Sequence, residues 1–348
     1  MMDYTILKDK FLQLYSVCLM TKGVKRSVIV DTQREEWYHI PNSLHTILLN
    51  YNNQKLEKLF GDFKGEEEIL MEYLDFLYEN DLIFYAESAD CFPLLGDYIE
   101  SPSIIESAII DFDSTSQNLQ HLEEIFSDLE LLGCKNCQFR FFHSPSKAEI
   151  IKIVTLLGNS RITSLDFIIK YDESYNVDFL IELTKQNLRI KSVFVHSTPF
   201  SRIEIINAEY FSYMGNVVFI MQEIKDETHC GQISPEYFTT NFRMFNESLK
   251  YNSCLYKKIG VDTNGNIKNC PTLASSFGNI KQNRLTEIVI KESFTDIWNI
   301  NKNQLSVCKD CEYRNVCSDC RGFLDESQIH NAKPVLCGYD PYNNVWQE

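Results

Sequence analysis

The chain has 348 residues, 44% of them hydrophobic and 24% charged, with a formal net charge of -16. That length predicts two or three compact units, and the apolar share excludes intrinsic disorder. The acidic excess argues against nucleic acid as a main partner, because phosphate binding draws on clustered Lys and Arg; a basic peptide suits it better. No apolar run reaches the roughly 18 to 20 residues of a membrane span, and Met1 to Lys10 lacks a signal peptide's apolar stretch. The expectation is a cytoplasmic protein without a membrane partner.

From Phe11 to Glu87 the pattern predicts a small α+β domain. Strand signals at Lys25–Val30 and Glu36–Ile40 flank a polar turn around Asp31 to Arg34. After Pro41 a helix is expected from Asn42, read as its cap, through Leu44, Ile47, Leu48 and Leu49. A second runs from Glu66 through Ile69, Leu70, Tyr73, Leu74 and Leu77, its Glu66-Glu67-Glu68 start being a solvated end that suits the helix dipole. Leu82–Tyr85 reads as a strand. Strands beside short helices are the layout of a winged-helix fold, which can accept an extended peptide along an exposed β-edge; a helical cap on the next domain is the alternative.

Residues 88–103, with Pro93, Gly96 and Pro102, read as a linker. Strands are then expected at Ala108–Phe112, Cys137–Phe142, Ser164–Ile169, Lys191–His196 and Val217–Ile220. Helices at His121–Leu132, closed by Gly133, and at Lys147–Leu157 and Val177–Gln186 alternate with them. This order implies a parallel sheet with covering helices, as in a full or partial β/α barrel. In such barrels the chemistry sits at the strands' carboxyl ends, here Asp111, Asp113, His143, Lys170, Asp172, His196, Gln222 and Glu223. His143 and His196 would converge with Asp111 or Glu223 on a metal or acid-base pair; singly, each reads as a rim or core histidine. His229 reads as a loop residue or a metal ligand. No P-loop, GxSxG or HExxH occurs.

Twelve cysteines in a long chain point to metal or redox chemistry. Seven fall near the C-terminus: Cys254-x15-Cys270, then Cys308-x2-Cys311-x5-Cys317-x2-Cys320, then Cys337. A zinc ribbon separates its CxxC pairs by about 12 to 20 residues, so an interval of five suits the thiolate cage of an iron-sulfur cluster better. Zinc, or buried free thiols, remain the alternatives. Cys134 and Cys137 form a lone CxxC at the bottom of the predicted barrel, read as structural, with a metal or redox role as alternatives.

The order of these cysteines, with Gly265 five positions before Cys270, resembles the SPASM domain of radical S-adenosylmethionine peptide-modifying enzymes. The Cys317-x2-Cys320 interval departs from that family's x3. Phe277-Gly278-Asn279-Ile280, Ile288, Phe294 and Trp298 resemble its connecting segment, so the likeness covers roughly residues 251–340. Position by position it implies two [4Fe-4S] clusters. Cys308, Cys311, Cys317 and Cys337 would hold one. Cys254, Cys270 and Cys320 would hold the other, which either keeps an open iron or recruits Cys230, since residues 244–253 offer no cysteine.

The family's CxxxCxxC loop is absent, with Asp113-Ser114-Thr115-Ser116-Gln117 following the first barrel strand, and Phe141-Phe142-His143-Ser144-Pro145 replaces its glycine-rich turn. The resemblance therefore implies a degenerate barrel, with neither radical chemistry nor S-adenosylmethionine expected. The whole layout resembles the maturases of grasp-with-spasm systems, with Cys308-Lys309-Asp310-Cys311-Glu312-Tyr313-Arg314 as the most specific stretch. It implies an α/β protein with a winged-helix-like leader-recognition domain over 1–90, a degenerate β/α barrel over 91–250 and a SPASM domain over 251–348. The implied partners are a precursor peptide and an ATP-grasp ligase. Competing readings are an iron-sulfur redox enzyme independent of S-adenosylmethionine, and a zinc or iron-sulfur scaffold in a complex.

Overall fold

The computed structural model describes residues 4–89, 92, 95–96, 98–158, 160–174, 177–206, 215–324 and 331–347. The front of the chain forms β1 (Phe11–Leu14), β2 (Cys18–Lys22), β3 (Ser27–Asp31), β4 (Glu36–Ile40), α1 (Asn42–Tyr51), α2 (Leu56–Asp62), α3 (Glu67–Glu79) and β5 (Ile83–Ala86). β2, β3 and β4 make an antiparallel sheet, while β1 pairs with β5. Leu44, Ile47, Leu48, Leu70, Leu74 and Leu77 recur at helical spacing and close one core over Ile29 and Ile40.

Two expectations change here. The front sheet has three strands, because Cys18–Lys22 completes the predicted pair. Asn42 is not a cap: Pro41 takes that position, and the Asn42 amide instead binds the Gly23 carbonyl at 3.1 Å and accepts from Ser27 Oγ at 2.6 Å. A side chain already committed to a tertiary contact is lost to its own helix.

The middle of the chain forms β6 (Ser107–Phe112), α4 (Leu122–Leu131), β7 (Asn136–Phe141), α5 (Lys147–Leu156), β8 (Ser164–Lys170), α6 (Val177–Gln186), β9 (Ile190–His196), β10 (Arg202–Ile206), β11 (Gly215–Phe219) and α7 (Phe242–Lys250). Pro93 of the expected linker lies outside the described residues. β12 (Lys258–Val261), β13 (Asn266–Lys268) and β14 (Gly278–Asn279) then extend the same sheet. Its order is β10-β11-β9-β8-β7-β6-β12-β13-β14, nine strands in all. β11, β9, β8, β7, β6 and β12 run parallel, with antiparallel strands at both edges. The sheet is open, so the partial form of the expected barrel is the nearer one. It also runs on past residue 250: β12 pairs Lys258–Val261 with Ser107–Ile110.

Strand alternation divides the two faces of this sheet. Cys137, Phe139, Phe141, Leu165, Phe167, Val193 and Val195 pack beneath the helices, with Phe126 edge-on to Phe139. The opposite face is mixed, with Asp111, Arg140, Ile168, Phe194 and Val218 in one row. Another row crosses it from Ile109 through Gln138, Asp166 and Ser192 to Asn216, and all five are half-buried. The connecting segment closes the far end of the core through α8 (Leu285–Val289) and α9 (Glu292–Thr295), where Ile288 and Phe294 are fully buried. No described helix is long and apolar enough to cross a membrane.

Candidate metal centre

Among the described residues, the strand-end candidates do not converge on a shared metal or acid-base pair. At the top of β6 and β7, Asp111 receives Arg140 through two hydrogen bonds of 2.6 Å, both side chains buried. Burial outweighs the attraction of the Arg140 guanidinium and leaves the Asp111 carboxyl raised to about 6; the paired charge-assisted hydrogen bonds favour its ionised form. His196 is a satisfied core histidine. Its Nδ1 accepts from the Ile224 amide at 3.2 Å, leaving Nε2 to donate to the Phe141 carbonyl at 3.2 Å. Burial lowers its pKa, so it stays neutral. Glu223 pairs with Lys170 at 3.3 Å, so neither joins His196 or Asp111. His143 edges onto Phe141, and His229 faces Asp226 at 3.7 Å. Cys134 and Cys137 are buried under the helices, with Cys134 Sγ bonded to the Asn136 carbonyl.

The turn after β6, where a radical enzyme of the resembled family carries its cysteine loop, is tied shut. Asp113 accepts from both the amide and the hydroxyl of Thr115 at 2.8 Å. Buried Asn118 clasps the carbonyls of Asp111 and Asp262, each at 2.8 Å.

The C-terminal thiols gather in two places. Cys254, Cys270 and Cys320 form one group, which also includes Cys230. Thr272 Oγ1 stands 3.3 Å from Cys230 Sγ and 3.6 Å from Cys270 Sγ, while Lys258 Nζ reaches Cys254 Sγ at 3.5 Å. Cys308, Cys311, Cys317 and Cys337 form the second group around Val316 and Tyr313. Buried Lys302 donates from Nζ to the Cys317 carbonyl, and the Tyr313 amide donates to Cys311 Sγ at 3.4 Å. Burial pushes the Cys308 and Cys320 thiols up to about 12 and raises those of Cys230 and Cys337. Metal binding here must therefore displace protons.

These donors fit an iron-sulfur cluster. Both groups are all-thiol, and each has a lysine that offsets thiolate charge. Among the described residues no three Cys, His, Asp or Glu side chains converge as the ligands of a single ion do; the irons of a cubane are spread out and draw thiolates from several directions. Glycine keeps the space beside the sulfurs: a Cβ on Gly231, whose φ is +84°, would lie 2.9 Å from Cys320 Sγ. The two lysines and Thr272 carry no sequence signal, since nothing in their spacing distinguishes them from surface residues.

The second group is roofed by the front sheet. Every residue between Cys311 and Cys317 except Val316 bonds to it. Arg26 donates to Glu312 at 2.7 Å and to the Tyr313 hydroxyl at 2.9 Å, His39 meets the same hydroxyl, Arg314 binds the Lys22 carbonyl at 2.7 Å, and Asn315 binds Thr21 at 2.9 Å. Val316 packs with Val28 and Val30.

Residues 253–312 match the SPASM model, described as an iron-sulfur cluster-binding domain. An AdoMet-dependent heme synthase of Oleidesulfovibrio alaskensis is 32% identical over 83 residues, which make up 23% of this chain; the chain spans only 21% of that relative's length. Two structures of SuiB from Streptococcus suis, one bound to S-adenosylmethionine and one to its precursor peptide SuiA, align with 94% of this chain and 100% of theirs. Identity is 12% and 11%, with TM-scores of 0.38 and 0.37.

Proposed function

We propose that this chain matures a ribosomally made precursor peptide, gripping its leader with residues 1–90 and presenting the peptide to a tail that carries two [4Fe-4S] clusters. The unit of residues 91–250, which contributes most of the open sheet, serves as the scaffold between them, and an ATP-grasp ligase acts on the same peptide. The observation that carries this reading is the seating of the front sheet on the Cys311–Cys317 loop. It bonds the loop between two of the proposed ligands directly to the sheet that would take the leader.

Cys308, Cys311, Cys317 and Cys337 hold one cluster, and Cys254, Cys270 and Cys320 are ligands of the other. When bound, such clusters supply one-electron transfer and brace the fold. The chain's own residues do the rest. β4 is the outer strand of the front sheet, and among the described residues nothing pairs with its free edge. An extended leader adds there by main-chain hydrogen bonds. Trp37 of β4 lies against Tyr313 and Phe238, which continue to Trp346 as an aromatic wall beside the second thiol group. The acidic surface favours a basic peptide.

The test is anaerobic purification with iron and sulfide counting, repeated with the precursor peptide and S-adenosylmethionine present. About eight irons per chain are expected, with leader binding and no cofactor cleavage. A colourless, iron-free protein, or one stoichiometric zinc, overturns the reading.

A further inference from the structure

We infer that Cys230 is the fourth thiolate of the first group, so that the cluster held by Cys254, Cys270 and Cys320 has no open iron. This deepens the reading of the tail as cluster-bearing and rests on it.

Cys230 lies 24 positions before Cys254, beyond the reach of the tail's cysteine pattern. The fold nevertheless brings it to the site and pins the backbone on both sides of it. On one side the Glu227 carbonyl accepts from both Cys230 Sγ at 3.4 Å and Thr272 Oγ1 at 3.3 Å. On the other, Ile233 pairs with Cys337 of the second group. Between them Gly231 adopts a φ of +84°, and its backbone presses so closely on Cys320 that any Cβ would clash with the sulfur. Cys230 and Cys270 share the Thr272 hydroxyl. His229, the nearest alternative donor in sequence, turns to Asp226 instead. On ligation the Cys230 proton leaves to solvent as the sulfur-iron bond forms, with no change of oxidation state.

The consequence is a division of labour. A cluster with four thiolates has no vacancy for a substrate atom, so the first group passes electrons or braces the fold and does not ligate the peptide. It also staples the end of the sheet unit to the tail.

The experiment compares wild type, Cys230→Ala and Cys230→Ser, purified anaerobically, by iron counting and by electron paramagnetic resonance both after dithionite reduction, with and without imidazole, and after mild oxidation. Wild type should hold about eight irons and give a spectrum indifferent to added imidazole. Cys230→Ala should lose between one iron and one whole cluster, and any cluster left at the first group should show the signal of a three-iron species or respond to imidazole. Cys230→Ser, nearly isosteric, guards against misfolding and should keep iron with an altered spectrum. Wild-type iron content and spectrum in Cys230→Ala would overturn the assignment, as would an imidazole-sensitive wild type. An iron-free wild type would instead sink the underlying cluster reading.

Discussion

The two thiol groups differ in what walls them in. The second is roofed by the front sheet through Arg26, His39 and the residues between its own cysteines, so its integrity and the seating of the front domain are one problem. The first faces the large sheet: Arg140 of β7 lies within electrostatic reach of Cys230 and Cys270, and Lys258 begins β12. Neighbouring cysteines in one tail therefore serve different halves of the molecule. Ligand spacing says how many thiols a site has; packing says what the site is coupled to.

The largest expected effect breaks the comparison at its root. On the proposed assignment of one cluster to each group, Cys308→Ala or Cys311→Ala should remove about half of the iron. The front domain should loosen as well, because ligand binding and folding are coupled. Limited proteolysis with iron counting checks this. Faster cleavage within residues 1–90 is expected, and unchanged iron would sink the ligand assignment.

Two ion pairs then sharpen it. Arg140→Met strands buried Asp111 and should cost about 3–5 kcal/mol, whereas Arg26→Ala, whose side chain is 25% exposed, should cost about 1.5–3 kcal/mol. Urea unfolding measures both. Only the second should weaken the hold of the front domain, seen as protease sensitivity there, while iron in both groups persists.

A smaller effect is pH-dependent. His45 on α1 is buried, and burial lowers its pKa, helped by Lys22 and Arg314. A histidine held neutral contributes stability above its unfolded pKa of about 6.5 that is lost as pH falls through the lowered folded value. Thermal stability should therefore decline below about pH 6.5, and less steeply in His45→Gln.

The smallest is a change of potential. Lys258→Met removes a cation 3.5 Å from Cys254 Sγ and should make the first cluster harder to reduce, leaving the second unmoved; redox titration followed by electron paramagnetic resonance resolves the two. A shift in both would blur the distinction drawn above.

The order of strands and helices from Ser107 to Phe219 was legible locally, because burying one face of each element imposes its period on the residues. Val177–Gln186 and Glu36–Ile40 match their predicted bounds. Arg202–Ile206 escaped because an edge strand with four of five residues at least partly open lacks that alternation. The cysteine-rich tail was equally legible, since its spacing pointed to the iron-sulfur cluster-binding domain that residues 253–312 match. Which thiols share a site with Cys230, and which lysine attends each group, were decided only by tertiary structure. So were the continuation of the large sheet into residues 258–279 and the seating of Arg26 on Glu312. These contacts join residues as far as 286 positions apart, and a pairing at that distance leaves no periodic trace in either partner's neighbours.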